Sequence, residues 1–185
     1  MQVEKTDLEG VLILMPDVFA DERGFFMESF QEERYREALN LPEDERFVQD
    51  NLSSSKKGVL RGLHYQAPPF AQGKLVTVLQ GKVLDVAIDI RFGSPTFGKH
   101  VSIELSGENH KQFWVPRGFA HAFLTLEDDT LFAYKCTNIY SKEHDRGLVW
   151  NDPALGIAWG MENPIVSEKD GKLPLLKDIA KEFTL

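Results

Sequence analysis

Lys82-Val-Leu-Asp-Val-Ala-Ile-Asp-Ile-Arg91 alternates two sets of residues with a period of two. Leu84, Val86, Ile88 and Ile90 form a wholly apolar set, and Val83, Asp85, Ala87 and Asp89 a mixed one. Successive side chains take opposite faces in an extended chain, so this stretch predicts a strand with a core against its apolar face. Val101, Ile103 and Leu105 repeat the pattern against Ser102 and Glu104. Working outward, alternating or β-branched runs bounded by Gly and Pro predict further strands at 12–17, 24–28, 47–53, 59–66, 74–80, 99–105, 112–115, 121–126, 130–138 and 147–150. Strands this short and this regularly spaced predict an all-β domain: a sandwich, jelly roll or small barrel. Helix is scarce. Ser29-x-x-Glu32 reads as a capping box opening a short helix to about Asn40, and 175–183 as a terminal helix.

The chain has 185 residues, 42% of them hydrophobic, which suits one globular domain spanning 1–185. No Gly-, Ser- or Pro-rich linker divides it, and no internal repeat is visible. A formal net charge of −8 argues against nucleic acid or an anionic membrane as partner, since both require a basic face. An anionic ligand must therefore meet a local cluster of cations. The aliphatic run Val11 to Met15 is too short for a signal-peptide core or a membrane span, and Cys136 is the single cysteine. Together these predict a cytoplasmic protein without disulfides.

Two segments concentrate the reactive side chains. Gly58-Val-Leu-Arg61-Gly-Leu-His64-Tyr-Gln66 sets a cation and an imidazole three residues apart in a strand, on opposite faces unless a bulge intervenes. Trp114-Val-Pro116-Arg-Gly118-Phe-Ala-His121 turns tightly and delivers a histidine to the next strand. Gly-x5-His followed by Pro-x-Gly-x-x-His resembles the paired motifs of the cupin superfamily. That resemblance implies a cupin-type jelly roll with its site inside. In metal-binding cupins the first motif continues to a second histidine and a later glutamate. Here those positions hold Gln66 and Lys74. A protonated lysine repels a cation, so no metal is expected.

Asp21-Glu-Arg-Gly-Phe-Phe26, Phe47-Val-Gln-Asp-Asn51, the Gly58–Gln66 segment, Gln72-Gly-Lys-Leu-Val76, Ser94-Pro-Thr-Phe-Gly98 and Pro116-Arg-Gly-Phe-Ala-His121 occur in one order along nearly the whole chain. As a set they resemble the dTDP-4-dehydrorhamnose 3,5-epimerase family. The resemblance implies cofactor-independent inversion of carbons 3 and 5 of a dTDP-4-keto-6-deoxyhexose through enolates. It implies His64 as base, Asp170 as the carboxylate orienting its ring, Lys74 as the cation beside the ketone and Tyr134 as proton donor. It further implies ligand contacts from Arg23, Glu28, Gln49, Asn51, Arg61, His121, Asp145 and Lys169, with Phe26 and Tyr140 stacking on the base. Glu143 competes with Asp145 for its place, because the 141–146 loop cannot be aligned from one sequence. A homodimer is implied as well, its N-terminal strands pairing across the interface so that Arg23 serves the partner's site.

Periodicity alone gives blander roles. Tyr134 shares a strand face with Phe132 and Cys136 and reads as core packing; Cys136 reads as a small core side chain. Asp170 beside Gly171 reads as a turn residue, and His100, His110, His144, Lys56 and Lys57 as surface or loop residues. Two rivals remain: a related epimerase that inverts one carbon only, and a metal-free cupin that binds a sugar nucleotide without turning it over.

Overall fold

A computed structural model describes residues 1–185. Its strands are β1 (Gln2–Lys5), β2 (Leu12–Met15), β3 (Val18–Asp21), β4 (Gly24–Met27), β5 (Gln49–Ser55), β6 (Leu60–Gln66), β7 (Lys74–Gln80), β8 (Lys82–Asp89), β9 (His100–Ser106), β10 (Gln112–Val115), β11 (Phe119–Thr125), β12 (Thr130–Cys136) and β13 (Asp145–Gly147). One α-helix, α1 (Glu32–Ala38), follows β4. Two antiparallel sheets stack face to face, in the orders β1-β2-β10-β7-β12-β5 and β13-β6-β11-β8-β9, and β3 and β4 form a separate hairpin. The result is a flattened jelly roll of two ladders rather than a continuously bonded barrel. No helix is long and apolar enough to cross a membrane.

The alternation in β8 acquires its meaning here. Val83 and Ala87 enter the core between the sheets with Val76, Val78, Phe113, Phe123 and Phe132. Val86 and Ile88 point the other way, into a second core where Leu148, Leu155, Trp159 and Leu176 of the C-terminal segment cover the five-stranded sheet. Both faces of β8 are therefore buried, and its mixed face looks into the molecule. A third cluster seats Tyr35 of α1 and its C-cap Leu39 on Leu14, Leu75 and Trp114.

Several local expectations are corrected. The cap of α1 is Gln31, whose side-chain oxygen accepts the Arg34 N–H, not Ser29. The expected terminal helix is a single 3-10 turn at Leu176–Asp178. The end of this tail instead makes an isolated parallel bridge beyond β8, with Phe92 N–H donating to Phe183 O at 2.8 Å and Leu185 N–H to Phe92 O at 3.0 Å. The strand expected at 147–150 lies earlier, at Asp145–Gly147. Strands β1 and β3 were missed because all their residues are exposed, which leaves no apolar periodicity to read.

Candidate active site

A cavity of about 600 Å³ opens between β5 on one sheet and β6 on the other. Its reactive walls belong to different sheets. Lys74 and Tyr134 come from β7 and β12, while His64 and His121 come from β6 and β11. His121 and His64 are cross-strand partners. A register shift between His121 and Phe123 marks a bulge in the β6–β11 pairing. Through it, Arg61 and His64 line the same cavity despite their odd spacing. Gly62 lies inside this irregularity at φ +124, where a Cβ would stand 2.5 Å from Ala122 Cβ and 2.6 Å from His121 O. Only glycine fits that backbone and that space.

His64 Nε2 lies 2.7 Å from Asp170 Oδ1. Asp170 is 4% exposed, in a 3-10 turn that packs against β6. Burial pushes its carboxyl up, but the bonds from His64, the Gly62 N–H and Ser167 outweigh burial and hold it below its ordinary 3.8. The ionised carboxylate accepts, so the Nε2 proton is fixed and Nδ1 is left as the basic nitrogen. His121 repeats the arrangement with Asp85, Nε2 to Oδ1 at 2.7 Å, with Asp85 fully buried and its Oδ2 unpartnered. The sequence signal for Asp85 was a carboxylate on the inward face of a strand buried on both sides.

Lys74 donates to the His64 carbonyl at 3.4 Å, bridging the two sheets. Burial pushes its amine below the ordinary 10.5, opposed by the nearby Cys136, Asp145 and Asp85. Tyr134 is pushed up chiefly by burial and by Cys136, with Arg61 pulling down. Its phenol therefore stays protonated at neutral pH. Cys136 is fully buried and pushed up to about 11 by burial, which makes it an unreactive thiol. The periodicity of Phe132, Tyr134 and Cys136 is real, but Phe132 and Tyr134 line the cavity while Cys136 is buried beyond it.

Of the other expected contacts, Asn51, Arg61 and Lys169 line the cavity with His121. Arg61 is aimed by Ser55 Oγ at 3.1 Å. Asp145 and Tyr140 do not line the cavity but connect to it through Lys169, which pairs with Asp145 Oδ2, the oxygen that also accepts the Tyr140 hydroxyl at 3.2 Å. Gln49 bonds to the Tyr140 N–H rather than lining the cavity. Arg23, Phe26 and Glu28 are not brought to this cavity. They sit on or beside the β3–β4 hairpin, with Arg23 held by Asp21, Glu28 by Arg34, and Phe26 72% exposed. No group of three or more His, Cys, Asp or Glu side chains forms a metal-sized cluster.

The family model for dTDP-4-dehydrorhamnose 3,5-epimerase matches residues 5–178. A dTDP-4-dehydrorhamnose 3,5-epimerase of Shigella flexneri is 55% identical over 170 residues, covering 92% of this chain and 93% of the relative. The solved 3,5-epimerase of Legionella pneumophila Philadelphia 1, in complex with dTDP-4-keto-L-rhamnose, superposes with a TM-score of 0.93 at 51% identity over 98% of this chain and 95% of that one. A 3′-monoepimerase of Streptomyces bikiniensis in complex with dTDP-quinovose superposes at 0.86 with 33% identity, over 93% and 86%.

Proposed function

The chain belongs to the dTDP-4-dehydrorhamnose 3,5-epimerase family, and from that premise we infer that it converts dTDP-4-dehydro-6-deoxy-D-glucose to dTDP-4-dehydro-L-rhamnose. It is an isomerase of the dTDP-rhamnose pathway. The observation that carries the chemistry is the carboxylate-oriented His64 on one sheet facing Tyr134 and Lys74 on the other. Carbons 3 and 5 both flank the carbon-4 ketone, so loss of either proton gives an enolate on the same oxygen. His64 Nδ1 removes the proton, and Asp170 stabilises the imidazolium that forms. The Lys74 ammonium holds the enolate oxygen. Tyr134 returns a proton from the opposite wall, which inverts the carbon, and the imidazolium and phenolate left behind exchange protons with solvent before the second carbon reacts. No step in this scheme calls on a cofactor.

Arg61, Lys169, Asn51, His121 and Asp145 form the ligand-binding set, and Arg61 and Lys169 supply the local cations that an anionic diphosphate requires on a chain of net charge −8. Arg23, Phe26 and Glu28 complete the site of a second copy in a homodimer. Their exposure on a free hairpin, with Phe19 and Phe25 also more than half exposed, supports that assignment. The catalytic unit spans 1–185 as one domain, a reading supported by the family-model match over 5–178. A nucleotide-sugar substrate and a lone buried thiol suit the cytoplasm.

Double inversion is supported by the 3,5-epimerase family model over 5–178 and by the 55% identity to the Shigella flexneri 3,5-epimerase. The test is turnover of dTDP-4-dehydro-6-deoxyglucose in heavy water followed by NMR of the sugar. Deuterium at carbons 3 and 5 with the L-rhamno configuration is expected. Label at one carbon would make the chain a monoepimerase, and no label a binding protein.

A further inference from the structure

We propose that Gln66 and Gln49 are positioning residues that together build a rigid stacking platform from Tyr140, an inference that rests on the nucleotide-sugar reading above. Gln66 stands where metal-binding cupins carry a histidine, and it is 4% exposed at the end of β6. Its Oε1 accepts the Ser141 N–H at 2.9 Å. Gln49, at the start of β5 on the other sheet, accepts the adjoining Tyr140 N–H on its own Oε1 at 2.8 Å. Two successive amides of the segment after β12 are thus pinned to both sheets, one to the edge strand β5 and one to the end of β6. Gln49 Nε2 also donates to Asn51 Oδ1 at 3.0 Å, so both ends of its carboxamide are engaged within the chain. Through these two bonds Gln49 positions Tyr140 and Asn51.

The Tyr140 hydroxyl is the third anchor, on Asp145 Oδ2 at 3.2 Å, and Asp145 is the cross-strand partner of Gln66. The residue nevertheless remains 52% exposed, one residue from the cavity-lining Lys169 by way of Asp145. An aromatic ring fixed at its own amide, the next amide and its hydroxyl, with a face left open, is preorganised to stack on a planar base without further ordering cost. The glutamine that replaces a metal ligand has thus become a bracket for the nucleotide.

The experiment compares wild type, Gln66→Leu, Gln66→Glu and Gln49→Leu by titration calorimetry with dTDP and with inorganic pyrophosphate, and by kcat and KM. Loss of the acceptor leaves an amide unpaired and the ring free to swing. Gln66→Leu is expected to bind dTDP roughly tenfold more weakly, with KM raised in parallel and kcat within about twofold. Gln66→Glu keeps an acceptor oxygen and is expected to restore most of the affinity. Gln49→Leu, which frees Asn51 as well, weakens dTDP at least as much and provides a second arm if Gln66→Leu fails to fold. Pyrophosphate, lacking a base, is expected to bind all four alike. Unchanged dTDP affinity in both leucine variants, equal weakening of dTDP and pyrophosphate, or a fall in kcat at constant KM would each overturn the platform. Wild type that binds pyrophosphate but not dTDP would overturn the nucleotide-sugar reading itself, and the platform with it.

Discussion

Tyr134→Phe separates the two roles that sequence and structure offer this residue. Its ring packs at 6.0 Å from the Phe132 ring, and phenylalanine preserves that contact. The hydroxyl has no hydrogen-bond partner among the influences on its ionisation, which are burial, Cys136, Arg61 and Asp145. Removing it therefore costs no internal hydrogen bond, and stability is expected to change by less than about 0.5 kcal/mol. Catalysis is another matter. Loss of one positioned acid typically costs about 10²–10⁴-fold, or roughly 3–5 kcal/mol of barrier. His64 lies on the opposite sheet and is untouched by the substitution, so it still removes a proton and, in heavy water, returns deuterium to the same face. The expected record is label at carbons 3 and 5 with the starting configuration retained, and inversion lower by two decades or more. NMR of recovered sugar, read beside a thermal melt, gives both numbers from one preparation. Inversion at the wild-type rate would remove Tyr134 from the mechanism and return it to the packing role its periodicity suggests.

Burial pushes Lys74 below 10.5, and the enolate needs its charge, so activity is expected to fall with rising pH before an ordinary lysine would titrate; Lys74→Met loses at least about 10²-fold in kcat and this alkaline limb together. A limb at 10.5 or higher would refute the desolvated lysine. Asp89 is fully buried, and burial pushes it up, yet bonds from Arg91, Ser94 and Thr96 bring it down to about 2. That depression contributes about 2 kcal/mol of stability, complete above pH 3.8 and lost as pH falls through about 2. Asp89→Asn is accordingly expected to be destabilised by about that amount at pH 7 and by less at pH 3, as read from urea midpoints; an equal gap at both pH values would contradict it. Gly62→Ala forces a Cβ to within 2.5 Å of Ala122 Cβ at φ +124, and a loss of at least about 3 kcal/mol is expected, with wild-type stability the contrary result.

The strands β6, β7, β8, β11 and β12 were legible through their buried apolar residues, but the alternation in β8 predicted a core on its apolar face alone, whereas both of its faces are buried. His64, Asp170, Lys74 and Tyr134 converge although Asp170 lies 106 residues from His64 in sequence. No local pattern encodes such a pairing, and only the family resemblance supplied it. The odd spacing of Arg61 and His64 left two outcomes, opposite faces or a bulge, and the register shift at Gly62 is the bulge that joins them. Strands β1 and β3 and the C-terminal tail escaped because exposed pairing and backbone docking leave no hydrophobic period. Arg23, Phe26 and Glu28 lie on or beside the β3–β4 hairpin, away from the cavity, and their place in the ligand-binding set rests on the homodimer proposed above.

A single base for both carbons is the central claim, and His64→Asn tests it most directly. Asparagine cannot serve as a base, and the cavity and its cations remain. The account predicts that dTDP still binds, while deuterium incorporation at carbon 3 and at carbon 5 falls together by at least about 10²-fold. Near-normal exchange at either carbon would show a second base at work and contradict the account.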